Sequence, residues 1–301
     1  MYDVVALTLA DPGDCGVVRV PVRACADALA AAGAAVTTVT ATSDAEIDEV
    51  LARLDAPPRA DGLAWPDPSG AIRLVVATAA DSQLRAVVRR MVRRWAPPPS
   101  RRPEGLPAGR TVPDLPPVAV LPLDPAGAPA SPDLATQLGL PRRPEQVAEA
   151  LLSDRVRRLD LLRTDAGSVT LDGTLLGTTD DTGRAATWQG RVEVDDAVLS
   201  AGDEPLLTAL VTNAGGYTAP DGLPLVNDAD PADGAVAVAV AVPVRRRLRR
   251  TVRVEVRRAR GRAATVAPAG ESVAYLDDGV SGALTRRRSW WVEPGAWAVY
   301  R

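Results

Sequence analysis

The feature that most constrains this chain is a change of period near Arg155. Before it, short apolar runs alternate with stretches of 3.6-residue periodicity; after it, apolar residues recur at every second position. Tyr2 to Leu9 reads as a strand, Gly16 to Ala32 as an Ala-rich helix, and Ala35 to Thr40 as a second strand. Ser43, with Glu46 three residues on, forms a capping box for a helix running to Leu54, and another helix spans Pro144 to Leu152. Alternation of this kind predicts a three-layer α/β domain, a parallel sheet covered on both faces. Beyond Arg155, Asp165-Ala166-Gly167 and Asp172-Gly173 are hairpin signals. Ala235 to Val242 alternates alanine with valine, and Arg250 to Arg258 alternates valine with charge. This half predicts an antiparallel, β-sandwich-like domain. The expected domains are therefore 1–154, carrying a Pro-rich insert at 96–117, and 155–301.

Composition removes several chemistries. The 301 residues include no histidine and no lysine, so all 35 basic residues are arginine. That excludes a Ser-His-Asp triad, an imidazole-rich metal site, a P-loop lysine and a Schiff base. Cys15 and Cys25 read as structural rather than as a redox pair. A net charge of −3 gives no basis for a nucleic-acid partner. No apolar stretch reaches the roughly 20 residues that span a bilayer, and MYDVVALTLADPGD lacks the flanks of a signal peptide. The expected location is the cytoplasm.

Two segments repeat one plan. Ile72 to Trp95 reads as a buried strand, the turn Ala79-Ala80-Asp81-Ser82, and an amphipathic helix with Leu84, Val87, Val88, Met91 and Val92 on one face. Pro117 to Pro141 is again strand, loop and helix, with Ser131 as N-cap and Pro132 at the first helical position. The second segment resembles the LPxGTxND…A…LGxP stretch of the diacylglycerol kinase and sphingosine kinase superfamily. The first stands where that family carries GGDGT. Val226 to Val236 is similar to its PxAxxxDGxLxV stretch, and Leu276-Asp277-Asp278-Gly279-Val280 to its DGE motif. The resemblance implies a Rossmann-like nucleotide domain of the NAD-kinase and diacylglycerol-kinase type, a β-rich lipid domain, a site in the cleft between them, and a C-terminal tail returning to the first domain.

It also implies ATP, Mg²⁺ and roles for individual residues. The glycines that would let backbone amides approach phosphate are Ala79, Ala80 and Ser82 here, and the threonine is Gln83. Asp81 survives and would lie near the metal and phosphates. Asp133 matches the second loop, where Gly-Thr has become Asp124-Pro125. Asn213, with Gly215-Gly216, would line the cleft. Asp233 would hold Mg²⁺, and Asp278 would be the general base toward a lipid hydroxyl. These substitutions suggest a weak or inactive homologue that binds lipid, nucleotide or a partner. An active ATP-dependent lipid kinase and a regulatory partner of a true kinase are the alternatives. Ten arginines between Arg245 and Arg262 suggest contact with a lipid or anionic membrane surface, unless they are the solvated face of a strand pair with Val252, Val254 and Val256 inward. A homo-oligomer is a further expectation.

Overall fold

A computed structural model of the protein describes residues 2–10, 18–124, 133–179, 185–245 and 252–301. Two compact units emerge, Met1–Leu159 with Gly295–Arg301, and Asp160–Pro294. The first unit is built on β1 (Asp3–Leu9), β2 (Ala35–Ala41), β3 (Ile72–Thr78) and β4 (Val118–Pro122), all parallel in the order β2-β1-β3-β4. Val299 continues the sheet beside Val118, also parallel. Helices α1 (Val20–Ala31), α2 (Asp44–Ala52), α3 (Asp81–Trp95), α4 (Leu134–Gln137) and α5 (Pro144–Leu152) complete this unit.

Strand pleating divides the apolar runs between two faces. Val4, Ala6, Val75, Ala77, Ala119 and Leu121 pack with Val22, Cys25 and Leu29 of α1 and Val147 and Leu151 of α5. The intervening Val5, Leu7, Leu74 and Val76 are equally buried and belong to the opposite face, the one on which α3 contacts β3 and α2 contacts β2. Helix α3 buries the expected Leu84, Val87, Val88, Met91 and Val92, and adds Trp95. Its arginines tie it to α2: Arg90 Nε donates to Asp48 at 2.7 Å and Nη1 to Asp44 at 3.2 Å. Two helix starts differ from expectation, and a third keeps its cap with a shifted partner. Described helical residues of α1 begin at Val20, with Pro21 in the first turn, where its missing N–H costs nothing. Ser131 and Pro132 lie outside the described residues, and Asp133 caps α4. Ser43 caps α2 by accepting from Glu46 N–H at 3.3 Å, while the Glu46 carboxylate reaches one residue further back, to Thr42 N–H and Oγ1.

The second unit draws on β5 (Val156–Thr164), β6 (Val169–Thr170), β7 (Gly173–Leu176), a short pair β8 (Thr178–Thr179) and β9 (Ala185–Ala186), then β10 (Gly190–Val194), β11 (Ala197–Ala201), β12 (Thr208–Thr212), β13 (Val236–Arg245), β14 (Val252–Gly261), β15 (Ala263–Pro268), β16 (Val273–Asp277), β17 (Val280–Leu284) and β18 (Arg288–Tyr300). An antiparallel six-stranded sheet runs β14-β13-β12-β7-β16-β17. It packs on the antiparallel strands β11-β10-β15-β18 through one core holding Val192, Val266 and Trp290 from one sheet and Leu176, Val211 and Val238 from the other.

The Ala-Val alternation of β13 resolves into two covered faces. Val236, Val238, Val240 and Val242 enter that core, while Ala239 and Ala241 pack with Leu210 and Leu225 in a smaller cluster. On the neighbouring β14, Val256 is half-buried but Val254 is 36% exposed, so the expected inward row of valines is incomplete. Asp165-Ala166-Gly167 does turn a hairpin, between β5 and β6. Asp172-Gly173 does not, because Gly173 opens β7, which pairs with β12 and β16 instead. A Cβ on Gly173 would stand 2.9 Å from Thr212 Oγ1, so the strand requires glycine for its close approach. Gly173→Ala is expected to lower stability by about 1–3 kcal/mol through overpacking. Ser43→Ala is expected to cost about 1 kcal/mol through loss of its cap. Both are readable as a lower urea midpoint at unchanged m-value.

Candidate functional site

Ligands of open α/β sheets bind beyond the carboxyl ends of the strands, which here places attention on Ala79 after β3 and Leu123 after β4. Leu123 N–H donates to Thr78 O at 2.8 Å, joining the two loops. The Ala79 N–H, first of the turn's amides, is taken by the chain's own Gln83 Oε1 at 2.7 Å. Ala80, in extended backbone, is the N-cap of α3 and has no capping side chain. Ser82 follows in the first turn, and Gln83 N–H donates to Ala80 O at 3.0 Å. Asp81 therefore does not cap its own helix. Its carboxylate accepts from Leu134 N–H at 3.2 and 3.1 Å, holding the first turn of α4.

Asp133 lies beside that contact and is equally occupied. Oδ1 accepts from Thr136 N–H at 2.8 Å and from Thr136 Oγ1 at 2.6 Å, and Arg142 Nη1 lies 2.7 Å from both oxygens. Burial pushes the Asp133 carboxyl up, but the Arg142 and Thr136 hydrogen bonds outweigh it and hold the group below the ordinary carboxylate range. Within the first unit, then, Ala79, Ala80, Asp81, Ser82, Gln83 and Asp133 do come together. Their polar groups are satisfied from within this unit: Gln83 takes the Ala79 amide, Asp81 the Leu134 amide, and Asp133 bonds Thr136 and Arg142. The Asp124 and Pro125 departures frame the same loop, though Pro125 lies outside the described residues.

Asn213, Asp233 and Asp278 all belong to the second unit. Asp278 and Gly279 form the two-residue turn between β16 and β17, with φ of 47° and 80°, the left-handed pair that such hairpins favour. The Asp278 side chain is 1% exposed. Oδ2 accepts from Leu171 N–H at 2.7 Å, and Oδ1 from Asp172 N–H at 2.9 Å and Gly173 N–H at 3.1 Å. Asp277, also buried, accepts from the hydroxyls of Thr170 at 2.8 Å and Thr174 at 3.0 Å. Asn213 Nδ2 donates to Leu171 O at 3.1 Å and to Asp160 O at 2.9 Å, and Asp160 in turn accepts from Gly234 N–H. Asp172 accepts from Gly216 N–H at 3.0 Å. A continuous polar knot thus links the Asn213, Asp233 and Asp278 regions. Asp160 and Thr170 are members that sequence reasoning missed, while Asp172 read only as a hairpin residue and Asp277 only as part of the DGE-like stretch.

Asp233 accepts from Ala235 N–H at 2.9 Å and pairs with Arg260. Among the described residues no group of three or more Cys, Asp or Glu side chains converges as a metal site. The Asp233 carboxylate is spent on an arginine and a turn, and the Ala79 turn on its own glutamine. In this arrangement these residues do not form a cradle for ATP or Mg²⁺. Cys25 is buried, with its thiol pushed up to about 11 by burial and by Glu145, which makes it an inert core group. Cys15 lies outside the described residues.

The arginine run is largely occupied where it is described. Arg257 pairs with Glu204 and Glu255, Arg258 donates to Leu225 O at 2.6 Å and Pro224 O at 2.7 Å, and Arg260 holds Asp233. Arg253 is exposed, whereas Arg246, Arg247, Arg249 and Arg250 lie outside the described residues. No helix among the described residues is long and apolar enough to cross a membrane.

A parallel α/β unit with converging loops after β3 and β4, and an antiparallel unit with a carboxylate turn, define a diacylglycerol-kinase-like fold. Three solved structures carry it, all from Bacillus anthracis str. Sterne: two proposed diacylglycerol kinases and one diacylglycerol kinase. Their TM-scores are 0.64, 0.65 and 0.62, at 12%, 12% and 13% identity. Each comparison covers 98–99% of this chain and 96% of the other. No protein-family model matches the sequence, and no curated protein does. What is shared is the fold.

Asp278→Ala would leave three buried N–H donors without their anion, at a cost of about 3–5 kcal/mol. Asp278→Asn, which keeps one acceptor oxygen, should lose roughly half of that. Urea denaturation of the two variants checks the ordering. For Asp133, the folded carboxyl titrates below its unfolded value of about 3.9. Its contribution is present above that pH and is lost as pH falls through the folded value. Asp133→Asn should therefore flatten part of the stability loss below about pH 4, as followed by thermal melts across pH 2–7.

Proposed function

We propose that this chain is a diacylglycerol-kinase-like protein in which phosphoryl transfer is weak or absent, and whose retained role is to bind a lipid or a protein partner. The observation carrying this reading is the hydrogen bond from Ala79 N–H to Gln83 Oε1 at 2.7 Å. A phosphate at this turn would have to displace that side chain and also avoid the Cβ atoms of Ala79, Ala80 and Ser82. Asp81 reinforces the closure by holding Leu134. The competing reading, an ATP-dependent lipid kinase with Asp278 as base and Asp81 near Mg²⁺, draws support from the fold shared along almost the whole chain. It requires Asp278 to leave three amide donors before it could take a proton.

Calorimetric titration with Mg-ATP separates the two. Weak or undetectable binding is expected for the natural sequence, with a gain on converting residues 79, 80 and 82 to glycine and Gln83 to threonine. Micromolar affinity in the unaltered protein would contradict the proposal. The lipid-binding role rests on the Arg245–Arg262 run, in which each arginine near an anionic surface adds about 1 kcal/mol. Co-sedimentation should favour phosphatidylglycerol over neutral vesicles at low salt and weaken as salt screens the attraction. It should also drop when Arg245, Arg246, Arg247, Arg249 and Arg250 are neutralised. Equal sedimentation in all samples would shift the reading to a partner protein rather than a lipid.

A further inference from the structure

The segment 56–71 between α2 and β3 and the Pro-rich insert 96–117 take no part in the loops after β3 and β4, yet they are built into the first unit. Val112 and Leu115 are fully buried, and Leu115 N–H donates to Ala296 O at 2.9 Å. Together they wall a cavity of about 640 Å³ at the amino-terminal edge of the parallel sheet. Tyr2, just before β1, and Ala71, just before β3, are on its lining, as is Pro117 before β4. It therefore lies at the opposite end of the strands from Ala79. A seven-residue strand at about 3.3 Å per residue separates the two by roughly 20 Å.

Three arginines, Arg53, Arg73 and Arg158, and three aspartates, Asp67, Asp114 and Asp154, line it. Arg73, 4% exposed, donates to Leu151 O and pairs with Asp154 at 3.2 Å. The guanidinium stacks on Tyr2 at 3.6 Å and Tyr300 at 5.7 Å, and its buried Nε finds no acceptor among the described residues. Asp114 is shared by two guanidiniums, Arg158 of the lining at 3.4 Å and Arg110, which is not on the lining, at 2.6 Å. Burial lowers the Arg158 pKa and Arg110 lowers it further, against the pull of Asp114. Asp67 is engaged by Ser69 N–H and Oγ within its own turn. Arg53 stands exposed on the rim with no ion-pair partner among the described residues. Trp65 and Tyr2 supply flat apolar wall.

We propose that this cavity is a binding site for a small organic anion that pairs a flat ring with one carboxylate or phosphate group, held by Arg158 and Arg53 and packed against Tyr2 and Trp65. Its volume is that of an ordinary small-molecule site. Arg73 and Arg158 each pair with one lining aspartate and Asp67 is spent within its own turn, so Arg53 is left without a counter-charge and the Arg73 Nε–H is unspent, which favours a ligand with a single negative charge.

The full chain is titrated with benzoate, with phenyl phosphate and with neutral benzyl alcohol, using calorimetry and saturation-transfer NMR. Saturable binding of benzoate, phenyl phosphate or both is expected, at least tenfold tighter than benzyl alcohol. Which anion binds identifies the acid group. Arg158→Gln and Arg53→Gln should each weaken binding about tenfold, the size of one charge-assisted hydrogen bond, while the distant surface variant Val198→Thr leaves it unchanged. Arg53 is exposed, so its variant settles the matter even if Arg158→Gln folds poorly. No saturable binding of either anion, equal binding of benzyl alcohol, or full affinity in Arg53→Gln would overturn the proposal.

Discussion

Backbone N–H donors that converge without a partner must be given an anion, and this chain supplies its own. The Asp278 carboxylate takes three of them from Leu171, Asp172 and Gly173, where the chain leaves the β5–β6 hairpin and enters β7. Without that charge the crossing would carry buried, unpaired donors, each costing about 1–3 kcal/mol. The turn that presents it is a left-handed Asp-Gly pair, fixed by the two-residue spacing of β16 and β17. The antiparallel unit therefore depends on one side chain set at a hairpin tip.

The same solution appears in the parallel unit. Asp81 supplies the carboxylate for Leu134 N–H, Asp133 for Thr136 N–H, and Gln83 the oxygen for Ala79 N–H. Loops that in a nucleotide-binding fold would stay open to an external phosphate are satisfied from within. On the proposed reading this links Ala79, Ala80 and Ser82 to function: the Gln83 oxygen stabilises the closed turn, and a phosphate would have to compete with it.

Much of this was legible in the sequence. The switch from helical to two-residue periodicity falls where β5 begins, because each period reports directly which side chains face a core. The Ser43 cap is local chemistry and reads locally. What did not read was long-range. Nothing near Asp278 announces that its partners lie at Leu171 to Gly173, and Asp172-Gly173 carries a hairpin signature while serving a close approach to Thr212. The Pro-rich inserts showed only their composition, whereas their role in walling a cavity comes from Leu115 and Val112 reaching the core. Asp81, placed by the resemblance near metal and phosphates, instead holds the first turn of the next helix, a contact 53 residues away that nothing in its own turn announces.

Closure of the turn after β3 rests on the bond between the Ala79 amide and Gln83 Oε1. Amide hydrogen exchange followed by ¹⁵N NMR reads that bond directly. Ala79 N–H should be protected in the natural sequence, exchange markedly faster in Gln83→Ala, and keep the same protection when millimolar Mg-ATP is added. An Ala79 amide that is unprotected at the outset, or one that gains protection only with Mg-ATP, would contradict the account.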